Sequence, residues 1–264
     1  MENTVTDNKR VWVLLRGLVR EQRHWGDFPE KLQLQFPGDE IVLYDFPGNG
    51  RRCKESSATH IIDMLEDLRA HLSGLSVEGP AHVIALSLGG MVAVEWLNTY
   101  PEECAAAVLI STSLRGLNPF YQRLLPSSYP AVFKSLLLSG GIEENEKRNL
   151  KLISNIVSGD KTKAENTVKQ WVAYASECPV AGRNGLRQLL AAIRFRVPSQ
   201  APVIPILVLR SLADKLVSPE CSSTLAEHWN LPMETHPDAG HDIPLDDGDW
   251  VSEKIAAWVA EVES

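Results

Sequence analysis

Cysteine is scarce, with four in 264 residues. Cys53, Cys104, Cys178 and Cys221 are widely scattered, with neither paired metal-ligand spacing nor the density of a disulfide scaffold. That excludes a stapled fold and a thiolate metal centre, and reduced thiols, some of them buried, are expected. Long apolar runs are also missing, since nothing approaches the roughly 18 residues needed to span a bilayer. Met1 to Arg10 is polar and acidic and lacks the basic-then-apolar order of a secretory signal. A cytoplasmic protein with no membrane partner is expected. Positive charge is in deficit: 26 Lys and Arg against 34 Asp and Glu leave a formal net charge of -8. Binding to a phosphate backbone depends on clustered cations, so no nucleic-acid partner is expected. Internal repeats and low-complexity segments are absent.

What is present is an ordinary globular balance, 44% hydrophobic and 23% charged, which suits a single sizeable core. Val11 to Leu15, Ile41 to Tyr44, Ala81 to Leu86, Ala105 to Ile110 and Pro205 to Arg210 are short continuous apolar runs. Such runs read as strands buried on both faces. Helical patterns separate them: Asp27 to Gln35, Ser57 to Leu72 with Ile61, Ile62, Leu65, Leu68 and Leu72 on one face, and Met91 to Tyr100. A further short strand, Met233 to His236, lies between helices over Pro219 to Trp229 and Trp250 to Val262. Alternation of this kind predicts an α/β fold, with a mostly parallel central sheet and helices on both faces. From Leu117 to Gln200 the rhythm changes. Helical patterns at Tyr129 to Leu138, Glu144 to Ile156, Lys163 to Ala175 and Gly185 to Phe195 follow one another without a convincing strand, as in an inserted all-helical segment.

The most informative stretch is Ala85-Leu86-Ser87-Leu88-Gly89-Gly90, where a serine stands between an apolar strand and a helix. It is close to a nucleophile elbow, a sharp turn that lifts a serine oxygen clear of the sheet, with small residues two before and two after the serine. Gly89 fits the later position, while Ala85 stands where glycine is usual. A serine at this place could equally cap the helix by accepting from a backbone N–H. Chemistry would require a base to take its proton, an acid to orient the base, and donors for an oxyanion.

Asp214 and His241 each follow a predicted strand, and the chain order Ser87, Asp214, His241 is the order used on this architecture. With Arg16-Gly17-Leu18, Asp45 to Gly50, Ala85 to Gly90, Ser211 to Lys215 and Gly240-His241, the sequence resembles the α/β-hydrolase fold superfamily. The resemblance covers nearly the whole chain except the helical insertion. It implies a core domain over 1–116 and 201–264 and a helical cap over 117–200. It further implies Ser87 as nucleophile, His241 as general base, Asp214 as its orienter, and the backbone N–H groups of Leu18 and Leu88 as the oxyanion hole. The implied activity is hydrolysis of a small-molecule ester with a small to medium acyl chain, without cofactor or metal. Thioesterase, C–C bond hydrolase, cofactor-free haloperoxidase or lyase, and non-catalytic binding protein are the alternatives. Arg16 departs from the His-Gly usual in the family. Structural hydrogen bonding in the loop is the expected role of Arg16, ahead of binding an anionic substrate.

Arg16, Gly17, Trp25, Phe120, Tyr121 and Trp171 are candidate substrate contacts, with Tyr174 beside them, although aromatics at such positions are more often core. Arg183, Arg187, Arg194 and Arg196 read as a solvated helix face, with an inward arginine selecting a carboxylate-bearing substrate as the alternative. Asp214 could simply pair with Lys215. Asp238, Asp242, Asp246 and Asp247 read mostly as solvated acids.

Overall fold

The computed structural model describes residues 9–75, 79–137 and 141–264. Six strands, β1 (Val11–Leu15), β2 (Glu40–Tyr44), β3 (Ala81–Leu86), β4 (Cys104–Ile110), β5 (Ile206–Ser211) and β6 (Met233–His236), form one sheet in the order β2-β1-β3-β4-β5-β6. Every pairing is parallel.

The apolar runs form central strands because both faces of the sheet are covered. Successive strand residues point to opposite faces, and the two sets pack against different helices. Val13, Leu15, Val83, Ala85, Leu109 and Val208 meet α2 (Ile61–Gly74), α3 (Leu88–Thr99) and α10 (Glu220–Trp229). Trp12, Leu14, Ile84, Leu86, Val108 and Leu207 meet α1 (Phe28–Gln35) and α12 (Gly248–Val262). Helix α2 starts at Ile61 rather than Ser57. The Ser57 hydroxyl donates to the Pro47 carbonyl at 2.6 Å and its N–H to Asn184 Oδ1 at 3.1 Å, which ties this stretch into the neighbouring turn.

Between β4 and β5 the described residues form helices only: α4 (Phe120–Arg123), α5 (Tyr129–Leu137), α6 (Ile142–Ile153), α7 (Ile156–Gly159), α8 (Lys161–Glu177) and α9 (Gly182–Arg194), with isolated bridges at Arg115. The short α4 and α7 were not legible as periodic patterns. Leu138, expected to end the helix from Tyr129, lies outside the described residues. Leu150, Ile153, Ile156, Val168 and Trp171 give this segment a small core of its own, completed by Leu245 from α11 (Ile243–Asp246). Among the described residues no helix is long and apolar enough to cross a membrane. All four cysteines are free thiols; Cys104 and Cys221 are buried, and burial pushes Cys221 up to about 12.

Register brings the strand ends level. Leu15 lies opposite Tyr44 and Ala85, and Ile110 opposite Leu86 and Leu209. The loops leaving β1, β3, β5 and β6 therefore open on one rim, where α/β sheets place their ligands.

Candidate active site

Ser87 follows the last residue of β3 and has φ 56°, ψ -111°. A positive φ is uncommon for a residue with a side chain and is held only where the surroundings enforce it. Here its N–H donates to the Ile110 carbonyl at 2.9 Å, while its carbonyl accepts from Thr112 Oγ1 at 2.8 Å and Gly90 N–H at 3.0 Å. The backbone is thus occupied on both sides and the side chain makes no helix-capping bond, so the capping alternative does not describe this serine.

Close approach explains the glycines around it. A Cβ on Gly89 would lie 2.4 Å from the Leu15 carbonyl oxygen, where α3 passes over β1. A Cβ on Gly17 would lie 3.2 Å from Ser87 Cβ, so the loop after β1 runs directly against the serine. Ala85 is fully buried on the α2–α3 side, where its methyl is part of the packed core. The elbow forms with alanine at that place because the added methyl points into this core.

His241 and Asp214 lie in contact. His241 Nδ1 lies 2.8 Å from Asp214 Oδ2, with the side chains 3% and 4% exposed. The other carboxylate oxygen of Asp214 accepts from the N–H groups of Leu216 at 2.8 Å and Val217 at 3.0 Å, which fixes its plane. Lys215 turns away and donates to Asn155 Oδ1 at 2.6 Å, so Asp214 is not a surface partner for it. Ser87 and His241 line the same cavity of about 280 Å³, whose walls are largely apolar. The structure records the His241–Asp214 contact and no bond from Ser87 Oγ to His241. The N–H groups of Leu18 and Leu88 have no partner within the described residues, and both residues line this cavity.

Arg16 is buried and grips Asp242, with Nη1 at 3.2 Å from Oδ1 and Nη2 at 2.5 Å from Oδ2, while its guanidinium lies 4.7 Å from the Trp25 ring centroid. Asp242 is therefore not a solvated acid. Asp246 is held too, accepting from Ser154 Oγ, from Asn155 N–H at 2.9 Å and from Gly240 N–H at 2.6 Å. Gly240 packs so closely on the α6 end that a Cβ would lie 2.7 Å from the Ile153 carbonyl oxygen. The histidine loop is thus clamped between the β1 loop and the helical segment.

The candidate contacts divide. Arg16, Gly17 and Phe120 line the cavity, whereas Trp25, Tyr121 and Trp171 do not. Trp25 is core beneath Arg16 and against Phe28. Trp171 is buried against Arg20 and His24, and Tyr121 is exposed with its ring edge-on to Phe120. Tyr174 lines a second, more polar cavity next to the first. Arg183, Arg187, Arg194 and Arg196 are exposed.

Four residues at the site carried no signal in the sequence. Gln188, fully buried on α9, accepts from Val19 N–H at 2.9 Å and donates to Asn49 Oδ1 at 2.8 Å and Ser57 Oγ at 3.0 Å. It thereby holds the β1 loop at Val19, a β-branched residue at φ 51° directly after Leu18. Arg20 is sandwiched between His24 Nε2 at 3.0 Å and Glu146 Oε2 at 2.9 Å. A guanidinium can only donate, so His24 Nε2 accepts and carries no proton, while Nδ1 lies 3.2 Å from the Glu21 backbone nitrogen and 3.3 Å from the Glu21 carbonyl oxygen. Burial, then the charges of Arg20 and Arg16, hold His24 well below its ordinary value. Only the Arg20-to-His24 interval, one helical turn, could have hinted at the cluster.

Among the described residues no group of three or more His, Cys, Asp or Glu could hold a metal ion. The sequence model of the Alpha/beta hydrolase family matches residues 12–254. The biotin biosynthesis bifunctional protein BioHC of Teredinibacter turnerae is 27% identical over 171 residues, 64% of this chain, and the chain spans only 26% of that protein's length. Two solved structures share the fold over nearly their whole length. The enol-lactonase from Burkholderia xenovorans has a TM-score of 0.77 at 15% identity, over 97% of this chain and 93% of its own. A thermophilic esterase from Thermogutta terrifontis has a TM-score of 0.74 at 19% identity, over 97% and 91%.

Proposed function

The chain belongs to the alpha/beta hydrolase family, and from that premise we propose that it is a serine hydrolase of carboxylic esters, working through an acyl-enzyme. One observation carries the reading. A buried His241–Asp214 pair and a serine on a strained elbow face one apolar cavity.

In this mechanism Ser87 Oγ attacks the ester carbonyl while His241 Nε2 takes its proton. Asp214 keeps the imidazole in the tautomer with hydrogen on Nδ1 and stabilises the imidazolium. The oxyanion is received by the N–H groups of Leu18 and Leu88, which the β1 loop and the elbow hold ready. Collapse expels the alcohol, which takes the proton from His241. Water, activated by the same histidine, then releases the acid. Every group needed comes from the chain, so no cofactor enters. The helical segment, residues 117–200, acts as a cap whose apolar inner wall receives a small to medium acyl chain.

The test combines fluorophosphonate labelling with turnover of p-nitrophenyl esters of increasing chain length. Ser87 should be labelled, and labelling and turnover should both vanish in Ser87→Ala. Folded protein that neither labels nor turns over any ester would overturn the reading.

A further inference from the structure

Three arginines line the cavity that contains Ser87 and His241. Two are neutralised by buried carboxylates: Arg16 by Asp242, and Arg20 by Glu146 at 2.9 Å. The third, Arg123 at the end of α4, has no carboxylate within salt-bridge distance among the described residues. Its Nη2 donates to the Ala192 carbonyl at 2.9 Å. Its Nε is buried and has no hydrogen-bond partner among the described residues.

An arginine stays charged in a protein, so this is a largely desolvated cation against an apolar wall that includes Met91, Val132, Leu189, Ile193 and Leu216. Burial, with the neighbouring Arg115 adding to it, pulls its pKa below the ordinary arginine value. Such a charge is costly unless something pairs with it. A tie to one carbonyl uses a single N–H of five and does not require a guanidinium. The helix carrying it is also fixed relative to the candidate triad. Leu125 N–H donates to the Leu216 carbonyl and Ser218 N–H to the Gln122 carbonyl, both at 2.9 Å, which moors α4 on the loop that follows Asp214.

We propose that Arg123 is the specificity-determining residue of this cavity and that the preferred substrate is an ester carrying a free carboxylate, received by the guanidinium. The proposal rests on the hydrolase reading for which bond is cut, but not for the binding itself. Nη1, which makes no hydrogen bond among the described residues and is not among the buried atoms, presents with Nη2 beside it the two donors that a carboxylate accepts end-on. The inward arginine is thus not one of the four on or beside α9 but one on a short helix that has no periodic signature.

The experiment compares kcat/KM for p-nitrophenyl monoesters of glutaric, adipic and suberic acids with neutral p-nitrophenyl esters of matching length. A parallel comparison of 4-carboxyphenyl butanoate with phenyl butanoate puts the carboxylate on the alcohol side. The readout is the ratio of charged to neutral ester, which a general loss of folded protein does not alter. One of the two arms should favour the carboxylate in the wild type. Arg123→Gln should lower that ratio about 10- to 100-fold, the range for a hydrogen bond to a charged group. Arg123→Lys should keep part of it, and Arg123→Glu should favour an ammonium-bearing ester. Calorimetry of monoethyl adipate and monoethyl glutarate on Ser87→Ala, with and without Arg123→Gln, reads the same contact without turnover. Weaker binding by about tenfold or more on losing Arg123 supports the proposal. Neutral esters turned over with a ratio unmoved by Arg123→Gln, or equal binding in the two Ser87→Ala proteins, overturns it and makes Arg123 a strut between α4 and α9. Absence of all turnover would count against the hydrolase reading, with the binding arm still deciding this one.

Discussion

Removing either half of the buried Arg16–Asp242 pair should be strongly destabilising, and the double replacement should return most of the lost stability. The side chains are 1% and 0% exposed and meet at two points, and Arg16 Nε has no partner among the described residues. Arg16→Met or Asp242→Leu each leaves one buried charge unpaired, which costs about 3–5 kcal/mol. At about 2–4 °C per kcal/mol for a chain of this size, Tm should fall by roughly 6–20 °C. In Arg16→Met/Asp242→Leu no charge remains, and apolar pairs in place of buried ion pairs are often neutral or better, so Tm should return most of the way. Activity should not return with it. The pair joins the loop of Gly17 and Leu18 to the loop of His241, and losing the alignment of one oxyanion donor costs about 10²–10³ in kcat. Thermal unfolding and p-nitrophenyl ester kinetics on the four proteins measure both. A double replacement whose Tm loss equals the sum of the two single losses would refute the reasoning, because it would leave no coupling between the partners.

Other perturbations give separate outcomes. Asp214→Asn should lower kcat by about 10⁴ by stabilising the wrong imidazole tautomer; near-full activity would assign the orienting role to another acid. Unfolded His24 takes up a proton below about pH 6.5 whereas the buried one does not, so stability should fall as pH drops through that value, by at most about 1.4 kcal/mol per pH unit. Urea unfolding between pH 5 and 7.5 should show this limb flattened in His24→Gln, and parallel curves would refute it. Gly89→Ala should destabilise by about 1–3 kcal/mol, since its Cβ would press on the carbonyl of a central strand. Ala85→Gly should cost only about 0.5–1 kcal/mol and leave turnover in place, and a large loss of activity would show that the methyl does more than fill the core.

Much of the framework was legible. The strands announce themselves because burial on both faces requires unbroken apolar runs, and the elbow because a strained strand-to-helix turn admits few residues at Ser87 and Gly89. Asp214 and His241 could be chosen by their positions after strands. Asp242 and Asp246 were misread as solvated because nothing local distinguishes an acid facing Arg16 from one facing water. The aromatics were misassigned for a similar reason: Trp25 and Trp171 carry the same side chain whether they line a cavity or pack beneath an arginine. Gln188 and Arg123 left no mark, since each acts across more than a hundred residues of chain or from a helix of a single turn.

The sequence by itself determined the alternation of strand and helix, the rim on which the loops gather, and the serine, acid and histidine that stand there. Periodicity, turn chemistry and chain order are local properties, so they can be read along one dimension. Only the tertiary structure decided which charges neutralise one another. It paired Arg16 with Asp242 and Arg20 with Glu146, and left Arg123 lining the cavity without a carboxylate partner among the described residues. Ion pairing and desolvation depend on distances between residues far apart in the chain, and these exist only once the chain has folded.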